Sequence, residues 1–406
     1  MSVEELEARI AKLSVDIDLQ KEVLRQLESQ KSAAQRQLNA IRDPVARLPL
    51  EISSEIFLLC LPSGGPKPEP PAAPILLLNV CNAWTEIALS SPELWAAIRL
   101  DGPSQAVEVL QRWLQRARHS PLSISLRNSL NDGFADVLWQ YAKQIKHLEL
   151  YEEEHDAGSW PSLPCLQTLT IGSPLDDDAP QLNQLSLEHV MGLLHLAPNI
   201  VECNFHDISI HIPENTPDDL ILPSLLSLKF EGGGDDSLHH LALPALEVLA
   251  VPLVHTSSDA LSLFLRRSLP PLRRLVLGNR YAEIWSHQLG ELLRLLPSLA
   301  ELELHTSFFT DSLFSVFADF TSELLPNLRS LKIQNHSPEP FPLSHEVVLR
   351  ALSARRPQLV CFHLRVSRAD MLFLDETTSV VDRLRYLAVD GMELYIGDDQ
   401  TNYVSL

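Results

Sequence analysis

His239 and His240 follow Gly232-Gly233-Gly234-Asp235-Asp236, and imidazoles beside carboxylates are side chains that hold divalent metals. Their order matches no recognised ligand spacing, and a glycine run ahead of two acids reads as a turn. The acidic runs Asp176-Asp177-Asp178, Asp218-Asp219 and Asp398-Asp399 fall in connections where carboxylates cap helix N-termini, and Glu152-Glu153-Glu154 reads as a solvated run. No H-E-x-x-H, P-loop, G-x-G-x-x-G or G-x-S-x-G occurs. Cys60, Cys81, Cys165, Cys203 and Cys361 stand at apolar positions without C-x-x-C spacing, as reduced core residues of a cytoplasmic or nuclear protein do. In that compartment the Asn335-His336-Ser337 glycosylation match is irrelevant. The expectation is a chain that is not an enzyme and takes no cofactor and no metal.

The remaining chemistry is recognition. Leu48-Pro49-Leu50-Glu51-Ile52-Ser53-Ser54-Glu55-Ile56-Phe57-Leu58-Leu59-Cys60-Leu61 reads as a short helix, with Pro49 in the first turn and Pro62 as the stop. It has two apolar stripes, Ile52/Ile56/Leu59 and Leu50/Phe57/Leu61. Such a helix needs cover on both sides and is far too short to span a bilayer. Two further apolar clusters follow, Val80-Cys81-Asn82-Ala83-Trp84-Thr85-Glu86-Ile87-Ala88 and Ser91-Pro92-Glu93-Leu94-Trp95-Ala96-Ala97-Ile98.

These three pieces resemble an F-box. Leu-Pro, Glu-Ile, Ile-Phe, Val-Cys-x-x-Trp and Ser-Pro-x-Leu-Trp occur in that order between Leu48 and Trp95. The resemblance implies docking on a Skp-type adaptor, and through it on a cullin, by Leu48, Pro49, Leu50, Glu51, Ile52, Ile56, Phe57, Leu61, Val80, Cys81, Trp84, Leu94 and Trp95. Leu50, Phe57 and Leu61 are expected on the adaptor face, with Ile52, Ile56 and Leu59 packing towards Trp84 and Trp95. The competing reading is an ordinary three-helix core. Within this module Pro62–Pro74 is a Pro- and Gly-rich insert, expected to be an exposed spacer; Pro68 and Pro71 also fit a P-x-x-P spacing.

The N-terminal segment must also be positioned. Val3, Leu6, Ile10, Leu13, Ile17, Gln20, Leu24, Leu27, Lys31, Ala34, Leu38 and Ile41 follow a 3-4 alternation over more than five heptads. A coiled coil, and through it a homodimer, is the expectation; Asp16 and Lys21 take g and e positions suited to pairing between chains. The alternative is an amphipathic helix lying on its own protein. Asp43-Pro44 ends the helix.

After residue 100 a phrase apolar-x-x-apolar-x-apolar returns, often after Leu-Pro. It is found at Ile145/Leu148/Leu150, Leu166/Leu169/Ile171, Ile200/Cys203/Phe205, Leu225/Leu228/Phe230, Leu246/Leu249/Val251, Leu272/Leu275/Leu277, Leu299/Leu302/Leu304, Leu328/Leu331/Ile333, Leu359/Phe362/Leu364 and Leu384/Leu387/Val389. The step is roughly 27 residues, within the leucine-rich range. Ile98/Leu100 and Ile124/Leu126 supply two earlier, degenerate strands. The phrase resembles a leucine-rich repeat, but the position that family fills with Asn or Cys holds Glu153, Pro174, Arg280 or His336. The side-chain ladder is therefore missing, and irregular repeats are expected.

The expected fold is α/β: a coiled-coil helix at 1–42, a small helical F-box at 43–100 with its insert at 62–74, and an irregular leucine-rich-repeat solenoid with a parallel sheet at 101–406. The order also resembles fungal F-box proteins, and Arg112-Trp113-Leu114-Gln115-Arg116-Ala117 followed by Pro121-Leu122-Ser123-Ile124-Ser125-Leu126 suits them. The implied function is the substrate-recognition subunit of an SCF-type ubiquitin ligase. The alternatives are a non-catalytic leucine-rich-repeat scaffold without ligase association, in which Leu50 and Phe57 are buried, and a hydrolase with an unrecognised site. Arg273, Arg274, Arg329 and Lys332 are the candidate substrate-binding patch.

The net charge of −21 is uneven: residues 1–42 balance, and most of the excess lies beyond residue 100. Nucleic acid and anionic lipid are disfavoured partners, and neutral or basic proteins are favoured. The densely charged start and the lack of any long apolar run predict neither secretion nor a membrane span.

Overall fold

The computed structural model describes residues 3–62, 64–68, 72–100, 107–127, 132–151, 160–172, 183–206, 208–211, 220–254, 256–282, 284, 286–307, 311–318, 324–336, 345–366, 378–398, 401–402 and 404. Glu152–Glu154, Asp176–Asp178, Asp218, Asp219, Asp399, Ser337 and Pro71 of the P-x-x-P spacing lie outside these residues. The chain forms two compact units, Met1–Ser125 and Leu126–Leu406.

The first unit opens with helix α1 (Val3–Arg42), followed by α2 (Leu50–Leu59), α3 (Asn82–Ser90), strand β1 (Ala97–Leu100), α4 (Val107–Ala117) and β2 (Leu122–Leu126), which ends at the unit boundary. Its core is aromatic. Phe57 packs on Trp84 with ring centroids 4.9 Å apart, and Trp95 meets Trp113 edge-on, also at 4.9 Å. The buried indoles must place their N–H groups; Trp95 donates to the Ala88 carbonyl at 2.8 Å and Trp113 to that of Ala97 at 3.0 Å. Arg116 lies over the Trp95 ring.

In the second unit the chain runs α5 (Asp132–Trp139), β3 (Ile145–Tyr151), β4 (Thr168–Gly172), β5 (Asn183–Ser186), α6 (Leu187–Leu196), β6 (Glu202–His206), β7 (Ile208–His211), β8 (Leu220–Ile221), β9 (Ser227–Glu231), β10 (Leu241–Ala242), β11 (Val248–Val251), α7 (Ser258–Ser268), β12 (Arg274–Leu277), α8 (Ser286–Arg294), β13 (Glu301–Thr306), α9 (Asp311–Ala318), β14 (Ser330–Asn335), α10 (His345–Ala354), β15 (Cys361–Arg365), α11 (Thr378–Val389) and β16 (Glu393–Gly397). Strands β3, β4, β6, β9 and β11 to β16 pair in that order, all parallel. This is a strand-and-crossover solenoid of the leucine-rich-repeat kind. Helices α7 to α11 pack each against the next. The earlier crossovers instead contribute two small parallel pairs, β5 with β7 and β8 with β10, so the repeats are irregular.

The phrase read from sequence maps onto this directly. Its first apolar residue is buried in the turn before the strand and the next two point inward from the strand, as with Leu299, Leu302 and Leu304. Burying one such side chain contributes about 1.5–3 kcal/mol. In place of an Asn ladder, residues just before the first leucine or isoleucine bond to the preceding repeat: Asn199 donates to the Pro164 carbonyl at 2.8 Å, Ser298 to that of Leu272 at 3.1 Å and Asn327 to that of Pro297 at 3.0 Å. Turn carbonyls are thereby satisfied from another position.

Leu384/Leu387/Val389 is not a strand. It lies in α11, where an i, i+3 leucine pair is equally at home, and both leucines are buried there. Gly391, at φ 95°, then turns the chain into β16, whose buried Leu394 and Ile396 are the true last strand pair. His239 and His240 close a 3-10 turn (Asp235–His240), as the glycine and acid run suggested, in which the buried Asp235 carboxylate accepts the Thr256 N–H. The insert is not wholly exposed: Pro66, Ala73 and Pro74 are buried, and the Pro66 carbonyl accepts the Arg99 N–H of β1 at 2.9 Å. Cys60 and Cys165 are exposed, contrary to the core reading.

Candidate partner-binding surfaces

Helix α2 places its two stripes on opposite sides, and against expectation the structure turns Phe57 inward and Ile52, Ile56 and Leu59 outward, while Leu50 stays exposed as expected. Phe57 is fully buried against Trp84, and on the same side the Ser53 hydroxyl donates to the Val45 carbonyl. Ile52, Ile56 and Leu59 face solvent, at 49%, 37% and 85% exposure. Periodicity defines two stripes; contact with Trp84 decides which one is inward. Leu48 and Leu50 are exposed, as are Pro49 and Glu51, while Leu61, Val80 and Trp84 are half-buried. Cys81, Leu94 and Trp95 are buried and so position the surface rather than form it. Of the two residues that the scaffold reading would bury, Phe57 is inside and Leu50 is not.

On α1 the seam is uncovered. Leu6, Ile10, Leu13, Ile17, Leu24, Leu27 and Leu38 are all between 42% and 63% exposed. Lys21 pairs within the helix, with Asp18 at 3.4 Å. No helix among the described residues is long and apolar enough to cross a membrane.

The third surface is the open face of the sheet, where parallel register aligns side chains in rows. One row reads His147, Thr168, Glu202, Ser227, Val248, Arg274, Glu301, Ser330, Cys361, Glu393. The next reads Glu149, Thr170, Asn204, Lys229, Ala250, Val276, Glu303, Lys332, His363, Tyr395. Burial, and then the charge of Lys146, holds His147 below the ordinary imidazole value.

The four bases read as a patch fall on and beside β12 and β14, but acids separate them. Arg273 approaches Glu247 at 3.8 Å, and Arg274 approaches Glu301 at 3.7 Å and Glu303 at 3.4 Å. Lys332 stands beside Glu303 in register, and Arg329 is exposed before β14. A hydrogen bond with His305 at 3.1 Å, aided by the charges of His305, Arg274 and Lys332, holds the Glu303 carboxyl below the usual carboxylate range against the effect of its burial. The surface therefore alternates in sign and is not a basic patch. Glu247, Glu301 and Glu303 stand between the strand leucines of the neighbouring repeats, where the repeat alignment already places open-face residues of mixed sign.

The sheet also gathers three side chains that the sequence reading left apart. Cys361, His363 and Glu393 bring a thiol, an imidazole and a carboxylate together on β15 and β16. Burial pushes the Cys361 thiol up, a hydrogen bond with Ser330 counteracts this, and Glu393 adds to the rise.

No family model matches the chain, and no curated protein matches it. Among solved structures it is similar to a chain of the TLR13–ssRNA13 complex, with 19% identity over 66% of this chain and a TM-score of 0.36; the match spans 41% of that chain. It is also similar to a chain of the Rad7–Elc1 complex in yeast, with 15% identity over 88% of this chain and 97% of that one, and a TM-score of 0.38. Likeness of this degree says nothing about what the chain binds.

Proposed function

We propose that the chain is a substrate-recognition subunit of an SCF-type ubiquitin ligase, in which the helices around α2 are an F-box that docks on a Skp-type adaptor and the repeats hold a protein substrate. The carrying observation is the uncovered stripe Ile52/Ile56/Leu59 on a helix whose other side is anchored by Phe57. It lies inside the ordered motif from Leu48 to Trp95 that suggested the F-box. A partner that covers these three part-exposed aliphatic side chains gains from each only the still exposed share of the about 1.5–3 kcal/mol that full burial contributes, most of all at Leu59. The exposure of Leu50 further supports docking over a closed scaffold. In this reading the chain performs no chemistry; a cullin and its associates, reached through the adaptor, transfer ubiquitin.

The open sheet face is the substrate surface, and its alternating charges favour a protein with a complementary alternating pattern. The exposed seam of α1 supports a second part of the proposal, a parallel homodimer through residues 3–41. Both parts have direct tests. Full-length protein carrying Ile52→Asp and Ile56→Asp is expected to lose capture of the adaptor while keeping its circular dichroism spectrum; undiminished capture by the folded double variant refutes the F-box assignment. Light scattering is expected to give twice the chain mass for the full protein and a single chain mass after removal of residues 1–42. A full-length protein that is a monomer at micromolar concentration refutes the dimer.

A further inference from the structure

Strand β15 carries Cys361 and His363 two residues apart, so both side chains leave the same face of the sheet. On the adjacent strand β16, Glu393 is the register partner of Cys361. The three ligand atoms, one thiol sulfur, one imidazole nitrogen and one carboxylate oxygen, lie within 4.8 Å of one another. The His363 Nε2 and a Glu393 carboxylate oxygen are already 3.0 Å apart. Tetrahedral zinc, with bonds of about 2.0–2.3 Å, requires its ligand atoms to sit about 3.3–3.8 Å from one another. Small side-chain rotations close that gap without moving the backbone.

We propose that Cys361, His363 and Glu393 form a zinc(II) site on the open face of the repeat sheet, with the fourth position left to water or to a group from a bound molecule. The donor set carries the choice of metal. Thiolate and imidazole select zinc and its neighbours over calcium and magnesium, which want oxygen ligands. The mountings are rigid: two ligands come from one strand and the third from the strand hydrogen-bonded to it, so the backbone of the site is ordered before metal arrives. Cys361 and His363 are half-buried, which limits competition from solvent, while Glu393 is exposed and already held against His363. The Tyr395 ring, 5.7 Å from that of His363, backs the imidazole. Coordination by Cys361 forms a zinc–sulfur bond and releases the thiol proton to the buffer, with no redox change.

The test uses the reduced full-length chain with cobalt(II) as a spectroscopic stand-in, followed by zinc competition against a chromogenic chelator. The expected result is a thiolate-to-cobalt charge-transfer band in the wild type and in Cys165→Ser and Cys60→Ser, and its loss in Cys361→Ser. Zinc affinity is expected to fall in His363→Ala and Glu393→Ala by more than the roughly 10–100-fold that loss of an outer-shell partner costs. Glu393 is exposed, so its variant tests the site even where Cys361→Ser fails to fold. A folded wild type without the band, a band that follows Cys60 or Cys165 instead of Cys361, or wild-type zinc affinity in Glu393→Ala would each overturn the proposal.

Discussion

Helix α2 and the open face of the sheet are both candidate contact surfaces resting on a well-filled core, yet they are built in opposite ways. On α2 the exposed residues are aliphatic and the anchor beneath them is aromatic, Phe57 on Trp84. On the sheet the anchors are stacked leucines and the exposed rows alternate in sign, as where Arg274 meets Glu301 and Glu303. An apolar stripe gains free energy from any partner that covers it and depends on shape for its choice. A charge-alternating row gains little from mere cover and is selective, because each mismatched charge is left unpaired. The difference suits one constant partner on the first surface and a discriminated one on the second.

The contrast is most easily broken at the anchors. Phe57→Ala is expected to destabilise the first unit by about 3–5 kcal/mol in denaturant titration, whereas Ile52→Ala, on the same helix but facing solvent, should stay within about 0.5 kcal/mol. A larger loss for Ile52→Ala than for Phe57→Ala would show that the stripes have been placed the wrong way round. In the repeats the sharpest position is Gly278, at φ 85°, where an added Cβ would lie 2.1 Å from the His305 carbonyl oxygen. Gly278→Ala is expected to cost more than about 1 kcal/mol, since both conformation and space oppose it. Asn327→Ala removes one bond between repeats and should cost about 0.5–1.5 kcal/mol by the same measurement; no loss would mean that the substitute ladder contributes nothing.

The smallest effect concerns the charged rows. The Glu303 carboxyl is held low in the folded chain, so the unfolded chain binds more protons in the window between the two values. Its stabilisation is complete above the unfolded carboxylate value, about 4.3, and fades as pH falls through the lowered folded one. Glu303→Gln should therefore lower stability slightly at neutral pH and flatten the acid side of the profile, the two proteins converging at low pH. An unaltered acid limb would show that the rows are decoration and not a coupled network.

The repeat leucines were legible because burial on one face of a parallel strand imposes its own period, and nine of the ten phrases place their last two apolar positions in a strand. The tenth, Leu384/Leu387/Val389, was misread because an i, i+3 pair satisfies a helix as well as the turn-to-strand step. The basic patch was misread for a different reason. Sequence showed Arg273, Arg274, Arg329 and Lys332 recurring, but their neighbours across the sheet are acids from other repeats, and the sign of a surface is a sum over neighbours.

Sequence by itself determined which residues are apolar on a shared period: the two stripes of α2, the seam of α1 and the ladder of strand positions. Those depend only on rotation per residue along one element. Tertiary structure alone decided which α2 stripe faces Trp84, and that Glu393 lies beside Cys361 and His363 on the next strand. Both depend on how separate elements meet, and the geometry within one element does not contain that information.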